Sequence, residues 1–277
     1  MTVLHGNQIT AYYDPEATPG TSRTGQTWKV LAHHSIVDIS DESAPVTVKK
    51  SGSVDNTSNE KGVRLVRVRI TCNPSEADGK FFAKTYSSSD TALSIIFKNS
   101  GGTFLWRVTG CYVKSITPSC QKYPTPGACQ FVIEIWGFAI VFTEPASTSY
   151  TAVPDGFVNW ADTTIKIASV TQSLWWDWSF TITNDLDIQH DENGAVVAIT
   201  RGDRDLDVTI NKALEDNAST QFNAAQVSFA TVTIEILLNA DSYSFGATAY
   251  SQVSVVADRT RLSALQLRGK PSTLTIT

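Results

Sequence analysis

Short stretches in which apolar and polar residues alternate recur along the chain. Residues 66–70, 179–183, 206–210 and 231–236 all have this pattern. Because successive side chains of a β-strand point to opposite faces of a sheet, a period of two indicates strands with one buried and one solvent-facing side. Turn sequences rich in Gly, Asn and Pro separate these stretches. The sequence therefore predicts a mainly β protein.

Two segments carry helix signals. Asn73, Pro74 and Glu76 have the order of an N-cap, a first helical residue and a capping-box acid, which predicts a helix over residues 74–87. Residues 217–227 are rich in helix-compatible side chains and predict a second helix.

The two predicted helices occupy matching places in an internal repeat. Residues 62–99 and 202–239 align without gaps at an offset of 140 residues. The identical positions are Gly62 and Gly202, Arg64 and Arg204, Val68 and Val208, Ile70 and Ile210, Phe82 and Phe222, Ser88 and Ser228, Thr91 and Thr231, Ile96 and Ile236, and Asn99 and Asn239. Strand, helix and strand follow in the same order in both segments, so we predict two copies of one β-rich unit.

The predicted domain organisation follows from this repeat. Residues 1–28 are turn-rich and poorly periodic, which predicts an extended N-terminal arm. We place the first unit at residues 29–145 and the second at residues 146–277, with a linker of small polar residues over 143–150. Residues 41–61 are predicted to form a long loop, and an apolar strand near Ile133 has no visible match in the second copy.

Composition narrows the classes of function. The chain has 277 residues, 42% of them apolar, which is enough to bury a core. Its formal charge of -5 disfavours a protein that grips nucleic acid through phosphates. The longest apolar run, residues 131–142, is shorter than a membrane span and contains Glu134, and the first residues lack a signal-peptide pattern. We expect no membrane anchoring and a chain kept soluble in the cytoplasm.

The cysteines and histidines do not have the spacing of a metal site. Cys72, Cys111, Cys120 and Cys129 form no Cys-x-x-Cys pair, and His33 and His34 would point to opposite faces of a strand. Cys120 and Cys129 flank a loop with two prolines and a glycine, so their backbones are expected to come close. We expect reduced thiols in a cytosolic product, and later oxidation of this pair stays open.

Three other features suggest chemistry at first sight. Residues 201–203 spell Arg-Gly-Asp, but their neighbours indicate a strand with a charged start. The acidic residues near the predicted hairpin tip at His190 are Asp185, Asp187, Asp191 and Glu192. A carboxylate pair in that group is the basis of a glycoside hydrolase alternative, but a solvated loop explains it more simply. No nucleophile-elbow, phosphate-loop or dinucleotide motif is present, so we predict no catalytic residue, no cofactor and no metal, and therefore no enzyme.

The tryptophans Trp175, Trp176 and Trp178 form the most unusual local feature. In a regular strand Trp176 and Trp178 would share one face and Trp175 would take the other. We interpret the cluster as core plus interface, where Trp is enriched. A sugar-stacking platform is the alternative, and it would make the chain a carbohydrate-binding or receptor-binding component.

The second half resembles the tail tube proteins of long-tailed bacterial and archaeal viruses. The resemblance lies in the order of residues 157–167, 179–185, 199–212, 216–229 and 232–238, that is strand, strand, loop-to-strand, short helix and strand. It extends to residues 30–100 through the repeat. It implies two tandem tail-tube-like β-sandwich or barrel domains, each with one main α-helix. It also implies stacked rings around a channel and no catalysis.

The resemblance implies partners and a location as well. The chain would assemble with itself in the host cytoplasm and reside in the virion tail, where DNA passes through the lumen without specific binding. A tape measure protein and tail terminator or baseplate proteins would be neighbours. The sequence does not separate a viral tail from a cellular injection machine, or a contractile from a non-contractile tail.

The duplication predicts the number of chains in a ring. Rings of this family commonly present six tube domains, so three two-domain chains would form a trimeric ring with pseudo-sixfold symmetry. Six chains per ring are the alternative, with one copy as an outer decoration. We expect Asp205 and Asp207 to face the lumen, and Arg67 and Arg69 at the matching positions of the first copy to pair with acids of a neighbouring copy.

Overall fold

The computed structural model describes residues 9–21, 27–31, 34–43, 46–48, 58–60, 63–73, 92–146, 149–152, 158–214, 230–239, 241–256 and 264–277. These residues are mainly β, with one turn of 3-10 helix at Trp160–Asp162. The strands are β1 (Ile9–Pro15), β2 (Thr27–Leu31), β3 (His34–Ser43), β4 (Val46–Val48), β5 (Ser58–Glu60), β6 (Arg64–Cys72), β7 (Leu93–Asn99), β8 (Phe104–Gln121), β9 (Gln130–Gly137), β10 (Ala139–Val141), β11 (Ser149–Tyr150), β12 (Thr163–Ile167), β13 (Val170–Thr171), β14 (Trp175–His190), β15 (Val196–Ala213), β16 (Thr231–Leu238), β17 (Asp241–Val256), β18 (Ala264–Lys270) and β19 (Thr273–Ile276).

One long antiparallel sheet runs through both halves of the chain. Its strand order is β3-β6-β9-β8-β14-β15-β18-β17. The first four strands come from the first half and the last four from the second. The two sets of four are hydrogen-bonded to each other through β8 and β14, and we call this eight-stranded arrangement the long sheet.

Each half adds a smaller sheet through one long strand that belongs to both sheets. In the first half the order is β11-β2-β1-β7, followed by the N-terminal part of β8 and then β10. In the second half it is β13-β12-β16, followed by the N-terminal part of β17 and then β19. The strands β8 and β17 therefore each pass from a smaller sheet into the long sheet.

The pairing patterns of the two halves match strand by strand. Ile70 in β6 is opposite Ile133, and Ile210 in β15 is opposite Leu267. The strands β3, β6, β8, β9 and β10 thus have β14, β15, β17, β18 and β19 as counterparts. The strand pairing of the first half thus recurs in the second, and β18 is the counterpart of β9, for which the sequence comparison found no match.

The core lies between the apolar face of the long sheet and the smaller sheets. Alternate residues of β6 and β15 point into it, and Val68, Ile70, Val208 and Ile210 are buried. Trp28 and Tyr13 from the smaller sheet are also buried, with 1% of their surface exposed. Burial of alternate apolar residues explains why the period-two segments became strands.

Several expectations need correction. Ile9–Pro15 is a central strand between β2 and β7, with Ala11 buried, so this part of residues 1–28 belongs to the core and is no arm. Separate tandem domains are not seen either, because one sheet and one core cluster join the two halves. Within the predicted linker, Ser149–Tyr150 pairs in parallel with β2.

Both predicted helices, over residues 74–87 and 217–227, lie outside the described residues. The side chain of Asn73 is described, and its amide nitrogen donates to the carbonyl oxygens of Cys129 and Val158. Its amide oxygen accepts a hydrogen bond from the Val158 backbone at 3.0 Å. Asn73 thus ties the first half to the start of the second. His33 and most of the predicted loop 41–61 also fall outside the described residues, apart from β4, β5 and the end of β3.

Candidate functional site: a shared sheet with two open edges

The junction between the halves is an antiparallel pairing of β8 with β14. Ser119 is opposite Ser179, and Ile116 is opposite Ile182. Between these pairs, the hydroxyl groups of Thr117 and Thr181 are 3.2 Å apart and share a hydrogen bond. Backbone pairing with matched apolar and hydroxyl neighbours is the usual unit of sheet stability, so this junction is an ordinary interior part of the sheet.

The two outer strands of the long sheet are open on one side within the described residues. There β3 pairs with β6 alone, and the C-terminal part of β17 pairs with β18 alone. Their counterparts β14 and β8 have neighbours on both sides. Val255 on the open side of β17 is 36% exposed, whereas Pro118 at the matching position of β8 is buried. Unpaired edges are templates for pairing with another chain.

The face of the long sheet that points away from the core carries more acids than bases. Its acids among the described residues include Asp38, Glu134, Asp177, Asp185, Asp187, Asp205 and Asp207, and its bases include Arg67, Arg69, Lys114, Arg268 and Lys270. Polar Ser and Thr residues of β8 and β14 fill the middle of this face, so it has no basic stripe of the kind that holds nucleic-acid phosphates.

Asp205 and Asp207 lie on this polar face, and both are ion-paired within the chain. Lys270 Nζ is 2.8 Å from Asp205 and 3.0 Å from Asp207, while the Arg268 guanidinium forms two hydrogen bonds with Asp207. Partial burial opposes ionisation of Asp207, but the hydrogen bonds from Arg268 and Lys270 outweigh it and lower its pKa. The sequence comparison missed both cations because they lie in β18.

Arg67 and Arg69 also lie on the polar face, in the first half. The Arg67 guanidinium lies 5.6 Å from the centre of the Trp136 ring, and Lys114 lies 4.9 Å from the same ring. Arg69 is in register with Asp38 on one side and Glu134 on the other. Acids for Arg69 are therefore present in the same copy, and pairing with a neighbouring copy stays a prediction.

The tryptophan cluster is mostly core. Trp175 and Trp178 are both buried, with 4% and 1% exposed, while Trp176 is half-buried and packs on Tyr123. The expected division of faces is wrong, because a register shift between Trp175 and Asp177 inserts an extra residue. That bulge turns Trp175 and Trp178 to the same side. Neither ring is free to stack on a sugar.

The pocket beside the cluster is small. Its volume is about 250 Å³, and Lys122, Trp160, Trp175 and Gln172 are among its lining residues. The Lys122 ammonium lies 5.4 Å from the centre of the Trp160 ring and 5.3 Å from that of Trp175. Lys122 therefore already occupies the aromatic faces that a ligand would use.

The acidic cluster is spread along a hairpin. Asp191 accepts hydrogen bonds from the backbones of Asn193 and Ala195 and closes the turn, which confirms the predicted hairpin tip. Asp185 and Asp187 are exposed on β14. His190 lies 3.2 Å from the Arg64 carbonyl oxygen, so the tip contacts the first half. This arrangement is that of a structural turn.

The Arg-Gly-Asp triplet at residues 201–203 lies within β15, as expected from its neighbours. The Arg201 guanidinium lies 5.7 Å from the centre of the Tyr112 ring. The Arg201 side chain therefore packs against the first half. A strand that has a register shift at residues 202–203 and a half-buried arginine differs from an exposed adhesion loop.

Cys120 and Cys129 are neighbours, as the loop between them suggested. They follow the pair Ser119 and Gln130 in the antiparallel register of β8 and β9, and both are buried free thiols. Cys129 Sγ lies 3.7 Å from the Thr163 hydroxyl. Their mutual hydrogen bond, together with burial, raises the pKa of Cys129. Cys72 and Cys111 are also buried free thiols.

The buried carboxylate of Glu16 lies where β8 changes sheets. Glu16 accepts hydrogen bonds from the Ser94 hydroxyl and from the backbones of Gly110 and Gly20. Burial raises its pKa, although these hydrogen bonds act in the opposite direction. No sequence pattern pointed to Glu16, because Ser94 and Gly110 are distant from it in the chain.

No family model matches the chain, and no curated protein is similar to it in sequence. Among the described residues, no group of three metal-ligating side chains comes together. In the same part of the chain there is also no helix with the length and apolar character of a membrane span.

Proposed function

We propose that the chain is a structural protein that assembles with copies of itself into stacked rings, and that these rings form the tube of a viral tail. In this role it is not an enzyme, and its tube is the channel through which the genome passes. The observation that carries the proposal is the long sheet, in which two equivalent four-stranded units lie side by side. Within the described part of the chain, the outer edge of each unit is open.

The geometry supports a closed ring in which each four-stranded unit pairs with the next in the same way. The junction of β8 with β14 already places one four-stranded unit beside the next in a single chain. The same step between chains is a head-to-tail contact, which closes into a ring when the rotation per unit divides a full turn. With six units per ring, three chains form a trimeric ring with pseudo-sixfold symmetry.

The polar face of the long sheet supports its assignment to the lumen. A channel wall for DNA works best without a basic surface that would retain phosphates. Acids outnumber bases on this face among the described residues, and Asp205 and Asp207 are part of it. The tape measure, terminator and baseplate partners and the tail location follow from the resemblance alone.

The alternative is a carbohydrate-binding or receptor-binding tail component. It rested on exposed tryptophans, and the burial of Trp175 and Trp178 removes most of the proposed platform. The tube is therefore the better supported of the two functions.

Negative-stain electron microscopy of the purified protein over a series of concentrations tests the proposal. We expect rings or stacked rings without any added cofactor. A protein that stays monomeric at the highest concentration and shows no rings would contradict it. Titration with a panel of glycans, followed by tryptophan fluorescence, tests the alternative, and we expect no change in emission.

A further inference from the structure

We propose that the C-terminal part of β17 pairs antiparallel with β3 of a second copy of this chain, in the register of the internal β8–β14 junction. This inference rests on the proposed function and goes further, because it names the two strands and the residues that oppose each other. The open edge of β17 thus pairs with β3 of a second copy, and the open edge of β3 pairs with β17 of another copy.

The two edges are equivalent to the two strands that already meet inside the chain. Ile116 of β8 is opposite Ile133, and Val253 of β17 is opposite Leu267 at the matching position. In the same way, β3 lies next to β6 as β14 lies next to β15. The edge of β8 that is equivalent to the open edge of β17 pairs with β14. The edge of β14 that is equivalent to the open edge of β3 pairs with β8.

A third match concerns the direction that β8 and β17 take after they bend. Gly110 has a positive φ of 62°, and Ala247, at the matching position of β17, has a φ of 46°. Each long strand therefore bends at the same place before it enters the long sheet. Equal bends mean that the C-terminal parts of β8 and β17 leave in equivalent directions relative to their own four-stranded units.

The internal register can be transferred to the open edges. Thr117 and Thr181 face each other in the internal junction, and their counterparts are Ser254 and Ser40. One residue further along, Pro118 and Phe180 correspond to Val255 and Ile39. The transferred register therefore places Ser254 beside Ser40 on the polar face and Val255 beside Ile39 on the core face.

The chemistry of these residues suits the pairing. Phe180 is buried and so is Pro118, while Ile39 is half-buried and Val255 is 36% exposed. Pairing of the two edges would cover both apolar side chains as the internal junction covers their counterparts. Ser254 and Ser40 repeat the hydroxyl pair of Thr117 and Thr181. Two strands whose faces match in this way avoid placing a polar residue against the core.

A disulfide trap tests the register. In the double variant Ser40→Cys, Ser254→Cys, mild oxidation should join chains, because directly opposed residues have Cα atoms about 4.5–5.5 Å apart, which lies inside the Cα range of disulfides. The matched control is Ser40→Cys, Gln252→Cys, which shifts one cysteine by two residues on the same face to about 7–8 Å. Thr117→Cys, Thr181→Cys is the positive control and should close within each chain.

Non-reducing electrophoresis after assembly separates the outcomes. We expect linked chains up to a closed trimer for the Ser40–Ser254 pair, at least about fivefold more than for the shifted pair, given the steep distance requirement of a disulfide. Each single variant controls for the native thiols, which are buried. The internal pair should give an oxidised monomer with no increase in mass.

Two results would overturn the inference, and they differ in what they say of the proposed function. Rings seen by electron microscopy together with no preference for the Ser40–Ser254 pair would refute this strand pairing and leave ring formation intact. Absence of rings in the wild-type protein, together with absence of linked chains, would refute both.

Discussion

The two halves of the molecule share a backbone pattern but differ in the side chains on their polar faces. Ile70 and Ile210 occupy equivalent buried positions, and their strands have equivalent neighbours. At equivalent polar positions, however, the first half has Arg67 and the second has Asp207. Burial of alternate apolar residues thus preserves the strand pairing, while the side chains of the exposed face are free to diverge.

A second difference between the halves lies in the strands that flank β8 and its counterpart β17. The junction strand β8 is enclosed by β9 and β14, whereas the C-terminal part of β17 has β18 alone among the described residues. Equivalent positions thus have different environments, and Val255 is exposed where Pro118 is buried. A change at the open edge should affect assembly and leave the fold intact.

The largest expected effect comes from charging the open edge. Val255→Lys should abolish ring formation, because an edge lysine that points into a neighbouring core face opposes strand pairing. The free energy of unfolding of the monomer should change by less than about 0.5 kcal/mol, since the side chain is exposed there. Sedimentation measures assembly, and urea denaturation measures stability.

The control for that variant is Val197→Lys. Val197 is 54% exposed on β15 and lies away from the open edge. Assembly should remain normal in this control. Loss of assembly in both variants would indicate a general effect of added charge, and retention in both would show that the edge of β17 is not an interface.

The next largest effect tests the equivalence of the two cores. Ile70→Ala and Ile210→Ala should each lower the free energy of unfolding by about 2–5 kcal/mol, because both side chains are completely buried. Urea denaturation under dilute conditions gives both values. If one substitution cost less than about 1 kcal/mol, far below the usual range, the two halves would not be equally packed.

A smaller effect is expected at the bends of β8 and β17. Gly110 has a positive φ, and a Cβ placed there would collide with the Phe138 ring. Gly110→Ala should therefore cost about 1–3 kcal/mol. Ala247→Gly should change stability by less than about 1 kcal/mol, because relief of the left-handed conformation offsets the greater freedom of glycine in the unfolded chain. Thermal unfolding measures both variants. An equal loss of stability in Gly110→Ala and Ala247→Gly would contradict the expected difference between the two bends.

The smallest effect concerns the acid dependence of the second half. The pKa of Asp207 is lowered in the folded protein, so its contribution is present above the unfolded value of about 3.9 and is lost as the pH falls through the folded pKa. Asp207→Asn should cost less than about 1 kcal/mol at pH 7, because the ion pair is near the surface. The difference from wild type should diminish as the pH falls below about 3.9.

The matched control is Asp187→Asn, which removes an exposed carboxylate of β14. Its stability should follow that of the wild-type protein over the whole range in urea denaturation. A difference between wild type and Asp207→Asn that persists undiminished at pH 3 would show that the side chain acts through packing instead of charge.

Local alternation was enough to predict the β class and several strands, such as Arg64–Cys72 and Thr231–Leu238. The repeat identified Ile70 with Ile210 because buried positions tolerate few residue types. The counterpart of β9 was missed because β18 shares its position in the sheet but little of its sequence. Ile9–Pro15 was misread as an arm because its place between β2 and β7 depends on pairing with distant segments.

The candidate site was less accessible to sequence reasoning. Asp205 and Asp207 were recognised as residues of a polar strand face, but Arg268 and Lys270 become their partners only through the pairing of β15 with β18. The bulge after Trp175 is a local irregularity that reverses the expected facing of the tryptophans. An open edge has no signature in residue type, because it is defined by which strand is missing beside it.

Native mass spectrometry of an isolated ring tests the central claim most directly. Each chain carries two equivalent four-stranded units, so six units require three chains, and we expect the mass of a trimer built from the 30.1 kDa chain. A ring of six chains would show that the duplication does not fill the ring. A monomer as the largest species, under conditions in which the protein is folded, would contradict the account.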